Sequence, residues 1–230
     1  MPRRPSTFIN RVKDIYQKNG FLATIKRVLV FIISILYQNE IYHVYGRALK
    51  EDNNEANRMP KIQNITHRMV ETVQQLDELS DEGFDLSLID IDLYRHRLQK
   101  GATSNLIFVN HELGFAGWGA LTEEAMKSLV RYPLKIDFVN NEAFGAEAWT
   151  NPKYRRQGFH NYAGYKWDKY CIEKGVTKDR SIILSSNVAS QRSTTKMGSK
   201  LLAKARYIRI FGIQLWRETP VKSTNSQSNY

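Results

Sequence analysis

The chain has 230 residues, 42% hydrophobic and 25% charged, which excludes a wholly disordered chain and a multi-pass membrane protein. Lysine and arginine number 34 against 23 acids, a formal net charge of +11 that suggests an anionic partner: a phosphate-bearing cofactor, a nucleic acid or a membrane surface. The one cysteine, Cys171, excludes an internal disulfide and a cysteine-rich metal site, and fits a reducing compartment.

The charge is unevenly spread: +7 in residues 1–50, −5 in 51–100, −3 in 101–150 and +12 in 151–230. Arg3 and Arg4 match the pair that opens twin-arginine export signals. However, no uninterrupted apolar region follows closely and no small-residue cleavage site appears, which argues against that route. Phe8, Val12, Ile15 and Tyr16, then Leu22, Ile25, Leu29, Ile32 and Leu36 after Gly20, recur at helical spacing. The longest uncharged run, Val28 to Asn39, has 12 residues. At ~1.5 Å per residue it reaches roughly 18 Å, short of a ~30 Å hydrocarbon core. With Lys13, Lys18, Lys26 and Arg27 beside it, the stripe reads either as an interfacial helix on an anionic membrane through residues 8–37 or as a helix packed on protein.

Ile41–Leu49 reads as a strand, and polar Glu51–Pro60 as a linker. Thr66 is expected to begin a helix with Met69, Val70, Val73 and Leu76 on its apolar face. Asp90–Lys100 reads as a second helix closed by Gly101. Leu106–Val109 and Phe115–Leu121 read as strands around Asn110-His111-Glu112, with Ile136–Val139 and Ala143–Thr150 as further strands. Phe159–Lys174 is a helix ended by Gly175, Ser181–Ser185 a buried strand, and Gln191–Met197 a short helix stopped by Gly198. Leu201–Trp216 is a pair of strands or one bent strand. Three regions are expected: a basic amphipathic extension and linker (1–58), a catalytic domain (59–218) and a disordered Ser/Thr/Asn-rich tail (219–230). The mixed order of elements argues for an α+β sheet.

The chemistry concentrates in Ala146–His160, where a strand enters a basic turn with one glycine and a helix follows at once. A helix start exposes unpaired N–H groups, and its dipole favours an anion. Gly158 permits close approach of a phosphate, and Lys153, Arg155 and Arg156 add positive charge. Neither Gly-x-x-x-x-Gly-Lys-Ser/Thr nor Gly-x-Gly-x-x-Gly occurs.

Here the sequence resembles the GNAT superfamily of acyl-CoA-dependent N-acyltransferases. The family loop Arg/Gln-x-x-Gly-x-Gly/Ala corresponds to Arg155-Arg156-Gln157-Gly158-Phe159-His160, with His160 departing at the last position. Ile182-Ile183-Leu184 and Asn187-Val188-Ala189-Ser190 look like the next strand and its Asn-x-x-Ser turn; Met197-Gly198-Ser199 is a partial match to Leu-Gly-Phe. The resemblance covers about residues 61–218. It implies a GNAT-like, mostly antiparallel twisted sheet with helices on both faces, and a splayed parallel strand pair that holds acyl-CoA. Backbone groups near Trp149 and Thr150 would meet the pantetheine arm. Arg155, Arg156 and the amides of Gln157, Gly158, Phe159 and His160 would hold the pyrophosphate. Asn187 and Ser190 would touch the lower arm.

The expected reaction is acyl transfer, acetyl foremost, from acyl-CoA to a primary amine by direct attack in a ternary complex. Such an amine, with pKa near ~10, costs roughly 4 kcal/mol to deprotonate at pH 7. Glu147 on the strand before the loop is the expected base, with Glu142 and Asp137 upstream as alternatives. The resemblance expects a tyrosine acid where Thr194 stands, after Ser193. Cys171 reads as a core thiol, and the five histidines show no metal-ligand spacing, so no metal is expected. The expected partners are acyl-CoA, a small amine or amino-sugar acceptor, and an anionic membrane through residues 8–37; nucleic acid is not favoured, since no binding signature accompanies the basic C-terminal third. The expected location is the cytoplasm, with peripheral attachment to the inner membrane face left open. The competing reading is a peripheral membrane interaction protein whose CoA-binding domain is catalytically idle.

Overall fold

A computed structural model describes Leu22, Ile25 and residues 36–52 and 54–221. The amphipathic stripe read over 8–37 lies, apart from four of its residues, outside the described residues, as do positions 222–230 of the expected tail. The chain divides into two compact units, Ile41–Ala205 with Glu218–Tyr230, and Met1–Glu40 with Arg206–Arg217.

In chain order the elements are β1 (Tyr37–Ala48), β2 (Ile65–Val70), α1 (Val73–Asp81), α2 (Ile91–Gln99), β3 (Thr103–Val109), β4 (Glu112–Ala120), α3 (Glu123–Leu129), β5 (Glu142–Thr150), α4 (Phe159–Glu173), β6 (Lys178–Leu184), α5 (Val188–Lys196), β7 (Lys200–Ile210) and β8 (Ile213–Pro220). The strands pair in the order β2-β3-β4-β5-β6-β1-β7-β8. The β5–β6 pair is parallel, whereas β2–β3, β3–β4, β4–β5 and β1–β6 are antiparallel. This is the mixed α+β architecture that the order of elements implied.

Helices lie on both faces. Gly119 of β4 faces α4 so closely that an added Cβ would sit 2.1 Å from Trp167. The neighbouring Trp118 faces the other way, packing against Tyr94 of α2 with the rings tilted by 56° and 4.5 Å between centroids. Since successive strand residues point to opposite faces, α2 and α4 sandwich β4. Buried Leu106, Ile107, Phe108 and Val109 of β3 form the middle of this core. β3 and β4 join through Asn110 and His111, both left-handed (φ 46 and 69), the geometry of a two-residue hairpin turn.

Several elements differ from the sequence reading. The helix expected from Thr66 is strand β2, paired from Ile65↔Val109 to Val70↔Ser104. The helix starts after Thr72, whose hydroxyl accepts from Gln75 N–H while the Gln75 side chain accepts from Thr72 N–H. Met69 and Val70 satisfied both periods; the capping box decides where the helix begins. The strand expected at Ile136–Val139 is a 3-10 turn over Phe138–Asn140, capped by Asp137. Helix α3 was not foreseen, although Thr122 caps it and Ala125, Met126 and Leu129 form its buried stripe. Glu51–Pro60, read as a linker, contains a 3-10 turn held to α4 by Glu55–Lys166 (2.6 Å) and Arg58–Asn161 (3.1 Å). Thr219 and Pro220, read into the tail, end β8.

Candidate functional site

The site begins where two parallel strands part. β5 and β6 pair from Glu142↔Lys178 only as far as Gly145↔Ser181. Beyond that point β5 continues to Thr150 and β6 to Leu184 without pairing to each other. On its other edge β5 stays bonded to β4 out to Asn151, whose N–H reaches Gly114 O at 2.9 Å. Antiparallel ladders alternate, so a bonded Asn151 turns the N–H and C=O of Thr150 and Ala148 away from β4, into the gap. A bulge lies midway: Gly117↔Ala148 and Gly119↔Gly145 leave Trp118 opposite both Ala146 and Glu147. Such a kink frees a main-chain group from the ladder and re-aims side chains.

The loop after β5 is shaped by its own residues. Asn151 is buried, its Nδ2 donating to Leu113 O (3.0 Å) and its Oδ1 accepting from Lys153 N–H (3.1 Å). Arg156 (φ 66) and Gly158 (φ 95) are both left-handed. Conformations of this kind gather successive N–H groups into a concavity suited to an anion. An added Cβ at Gly158 would meet only Pro60 Cα at 3.7 Å, so the conformation more than crowding calls for glycine. Gly158 caps α4 without a side chain. Its carbonyl receives the N–H of Asn161 and Tyr162, whereas no acceptor among the described residues takes the N–H of Gln157, Gly158, Phe159 or His160. Lys61 N–H, just past the supposed linker, bonds Gln157 O (3.0 Å) and braces this loop.

The expected site residues fall into groups. Arg155, Arg156 and Gly158 are exposed at the loop, and neither arginine forms an ion pair among the described residues. Lys153 is diverted from it by an ion pair with Glu112, which also accepts from the Tyr154 hydroxyl at 2.5 Å. Phe159 is 1% exposed, packed on Tyr154 and Gly114, and offers the loop only its amide. His160 turns inward: its Nδ1 lies 3.0 Å from Ser193 Oγ on α5, its ring is edge-on to Phe115, and burial holds its pKa below the usual histidine value. Asn187 caps α5 by accepting from Ser190 N–H at 3.2 Å. That leaves its Nδ2 and the Ser190 hydroxyl outside the cap.

Glu147 and Trp149 share the face of β5 opposite α4, both exposed. Sequence reasoning missed the partner of Glu147. Arg97 of α2, 6% exposed, donates to both carboxylate oxygens at 2.9 and 3.1 Å while its guanidinium sits over Trp118 at 5.2 Å. The two lie 50 residues apart, with no local signal to join them. Glu142 is tied to Arg180 (3.0 Å) and to Asp137 N–H (2.9 Å), so the two upstream alternatives serve the start of β5. Thr194 is 6% exposed. Cys171 is buried in the core, where desolvation pushes its pKa far up.

The closed end of the strand pair carries a polar cluster. Arg47 of β1 is opposite Asp179 of β6, donates to Asp168 of α4 at 2.5 Å and to Met197 O at 2.8 Å. Trp167 Nε1 donates to Asp179 at 3.0 Å. Burial raises both acids despite Arg47, Asp168 to about 7. Among the described residues no group of three His, Cys, Asp or Glu is placed to hold a metal, and no helix is long and apolar enough to cross a membrane.

No family model matches the sequence, and no curated protein matches it. Solved structures do match by shape. A GCN5-related glucosamine N-acetyltransferase region of a fungal multi-domain β-N-acetylglucosaminidase aligns with 79% of this chain and 22% of its own, at 12% identity and TM-score 0.50. A tandem GNAT protein from the clavulanic acid biosynthesis pathway aligns with 85% of this chain and 59% of its own, at 10% identity and TM-score 0.50. This chain thus spans less than two thirds of either. With the parting parallel pair and the glycine-led helix after it, these likenesses establish that the chain has the fold of the GNAT superfamily.

Proposed function

We propose that the protein is an acyl-CoA-dependent N-acyltransferase, with acetyl-CoA the expected donor, acting on a primary amine in a ternary complex. The observation that carries this reading is the gap beyond Gly145 and Ser181, with the amides of Gln157–His160, unclaimed among the described residues, at the helix start that follows. The donor set fits a diphosphate: four amides, a left-handed glycine and two arginines that form no ion pair among the described residues, at ~1.5–3 kcal/mol per charge-assisted bond. The gap-facing edge at Ala148 and Thr150 suits the amides of a pantetheine arm, and Asn187 and Ser190 stand at the other strand's exit.

Acyl-CoA, when bound, supplies the activated thioester. Glu147 takes the proton of the attacking ammonium, directly or through a water, while Arg97 holds its carboxylate in place. The main-chain N–H freed by the bulge at Ala146–Glu147 faces the developing oxyanion. Thr194 stands where the resemblance expects a tyrosine acid, and Ser193, hydrogen-bonded to a desolvated, neutral His160, is too weak an acid to protonate a thiolate, so the departing thiolate takes its proton from solvent. Exposed Trp149 beside Glu147 offers an apolar wall for the acceptor.

The test is calorimetric titration with acetyl-CoA, followed by an amine screen that records release of free thiol. Heat with the wild type and none with Gly158→Glu supports the reading. Absence of binding at millimolar acetyl-CoA overturns it. Binding without thiol release from any amine leaves the idle CoA binder as the better account.

A further inference from the structure

The tip of the β7–β8 hairpin has no part in the site above. Phe211 (φ 47) and Gly212 (φ 87) form a two-residue left-handed turn, which sets Ile210 opposite Ile213. The bond from Val221 N–H to Leu202 O at 3.0 Å keeps that register at the far end. Directly opposed residues share a face, and the faces alternate along each strand. One face holds Tyr207 and Trp216; Tyr207 is 2% exposed and Trp216 half-buried. The other face, read down from Phe211, presents Ile210 with Ile213, then Ile208 with Leu215, then Arg206 with Arg217.

This outer face is open to solvent. Phe211 is 77% exposed, Ile213 68%, Leu215 56% and Ile210 41%, and both arginines of the third rung are exposed. Arg206 Nε donates to Asn39 Oδ1 at 3.0 Å, which fixes its stem and leaves the end of the guanidinium for an anion. Between Lys200 and Arg217 there are five basic residues and no acid.

We propose that this hairpin tip inserts into the surface of an anionic phospholipid bilayer. The two apolar rungs span ~7 Å, within the ~5–10 Å to which interfacial elements reach. The arginine rung lies roughly 14 Å along the strand from the Ile210–Ile213 rung, at the level of the phosphates in an inclined hairpin. Charge selects this occupant. A second copy docking through this same face would bring its own arginines and no acid between Lys200 and Arg217 to meet them, whereas an anionic surface meets both the apolar tip and the cationic rung.

The full-length protein is sedimented with vesicles of phosphatidylcholine alone or with added phosphatidylglycerol, at low and high salt. It pellets with the anionic vesicles, less so at high salt. Arg206→Gln with Arg217→Gln weakens binding about thirtyfold. Phe211→Asp with Ile213→Asp reduces it more than tenfold. Phe211→Trp shows blue-shifted emission on anionic vesicles that brominated lipid quenches, a signal that attachment through residues 8–37 alone would not produce. Failure of the wild type to pellet, unaltered binding of the double-aspartate variant, or an unquenched tryptophan each overturns the proposal. So does self-association in sedimentation velocity that the aspartates abolish, which would make this face a contact between copies.

Discussion

The two ends of the β5–β6 pair follow opposite rules. At the closed end, from Glu142 to Gly145, the neighbouring carboxylates all find partners inside the protein: Glu142 with Arg180, Asp179 with Trp167, Asp168 with Arg47, while the buried Nε of Arg47 has no hydrogen-bond partner among the described residues. At the open end, from Ala146 to Thr150, one strand edge and four amides of the next loop have no acceptor among the described residues. Buried polar groups left unbonded cost free energy, so such groups persist only where water or a ligand reaches them. The helices after the two strands repeat the contrast. α5 is capped by Asn187, whereas α4 starts at a glycine with no side chain to offer. Internal pairing marks the part that holds the sheet together, and open amides mark the part proposed to meet the ligand.

Four measurements break or sharpen that contrast. Gly158→Glu puts a carboxylate among the open amides; acetyl-CoA binding by calorimetry falls below detection, while strain at φ 95 costs about 1–2 kcal/mol in a denaturant melt. Loss of folding instead would place the loop in the structural class. Glu147→Gln keeps one of the two hydrogen bonds from Arg97, through its amide oxygen, and removes the base; kcat falls roughly 10³-fold with binding of acetyl-CoA unchanged. An unchanged kcat would confine Glu147 to holding Arg97.

At the closed end the measurement is stability against pH. Burial raises Asp168 to about 7, above its unfolded value of 3.8, so between these values the native state binds the proton that the unfolded chain has lost. The associated stability is fully present below about pH 4 and is lost as pH rises through about 7, a loss of about 2–3 kcal/mol allowing for partial exposure. Asp179 is raised in the same direction, and both acids share Arg47. Asp168→Asn flattens this slope in urea melts between those pH values; a slope of opposite sign would show that Arg47 dominates burial. The smallest effect is at α5, where Asn187→Ala removes the cap for about 1 kcal/mol and weakens acetyl-CoA severalfold. A change in stability alone would limit Asn187 to the cap.

Gly158 and the helix behind it were legible because their signals are local and depend on the few residues beside them. β2 was misread as a helix because Met69, Val70, Val73 and Leu76 fit a helical stripe, and only pairing with β3 distinguishes the two readings. Arg97 was not foreseen because nothing in its helix marks it as the partner of a carboxylate 50 residues away.

The sequence by itself determined where the loop turns, where α4 begins and which residues there carry charge, since backbone preference and capping act over a single turn of chain. Only the tertiary structure decided that β5 and β6 are neighbours that part at Gly145 and Ser181, that a bulge sits opposite Trp118, and that Glu51–Pro60 is held to α4 rather than trailing past it. Those outcomes come from pairing and burial between distant segments, whose free energy exists only once the sheet has assembled.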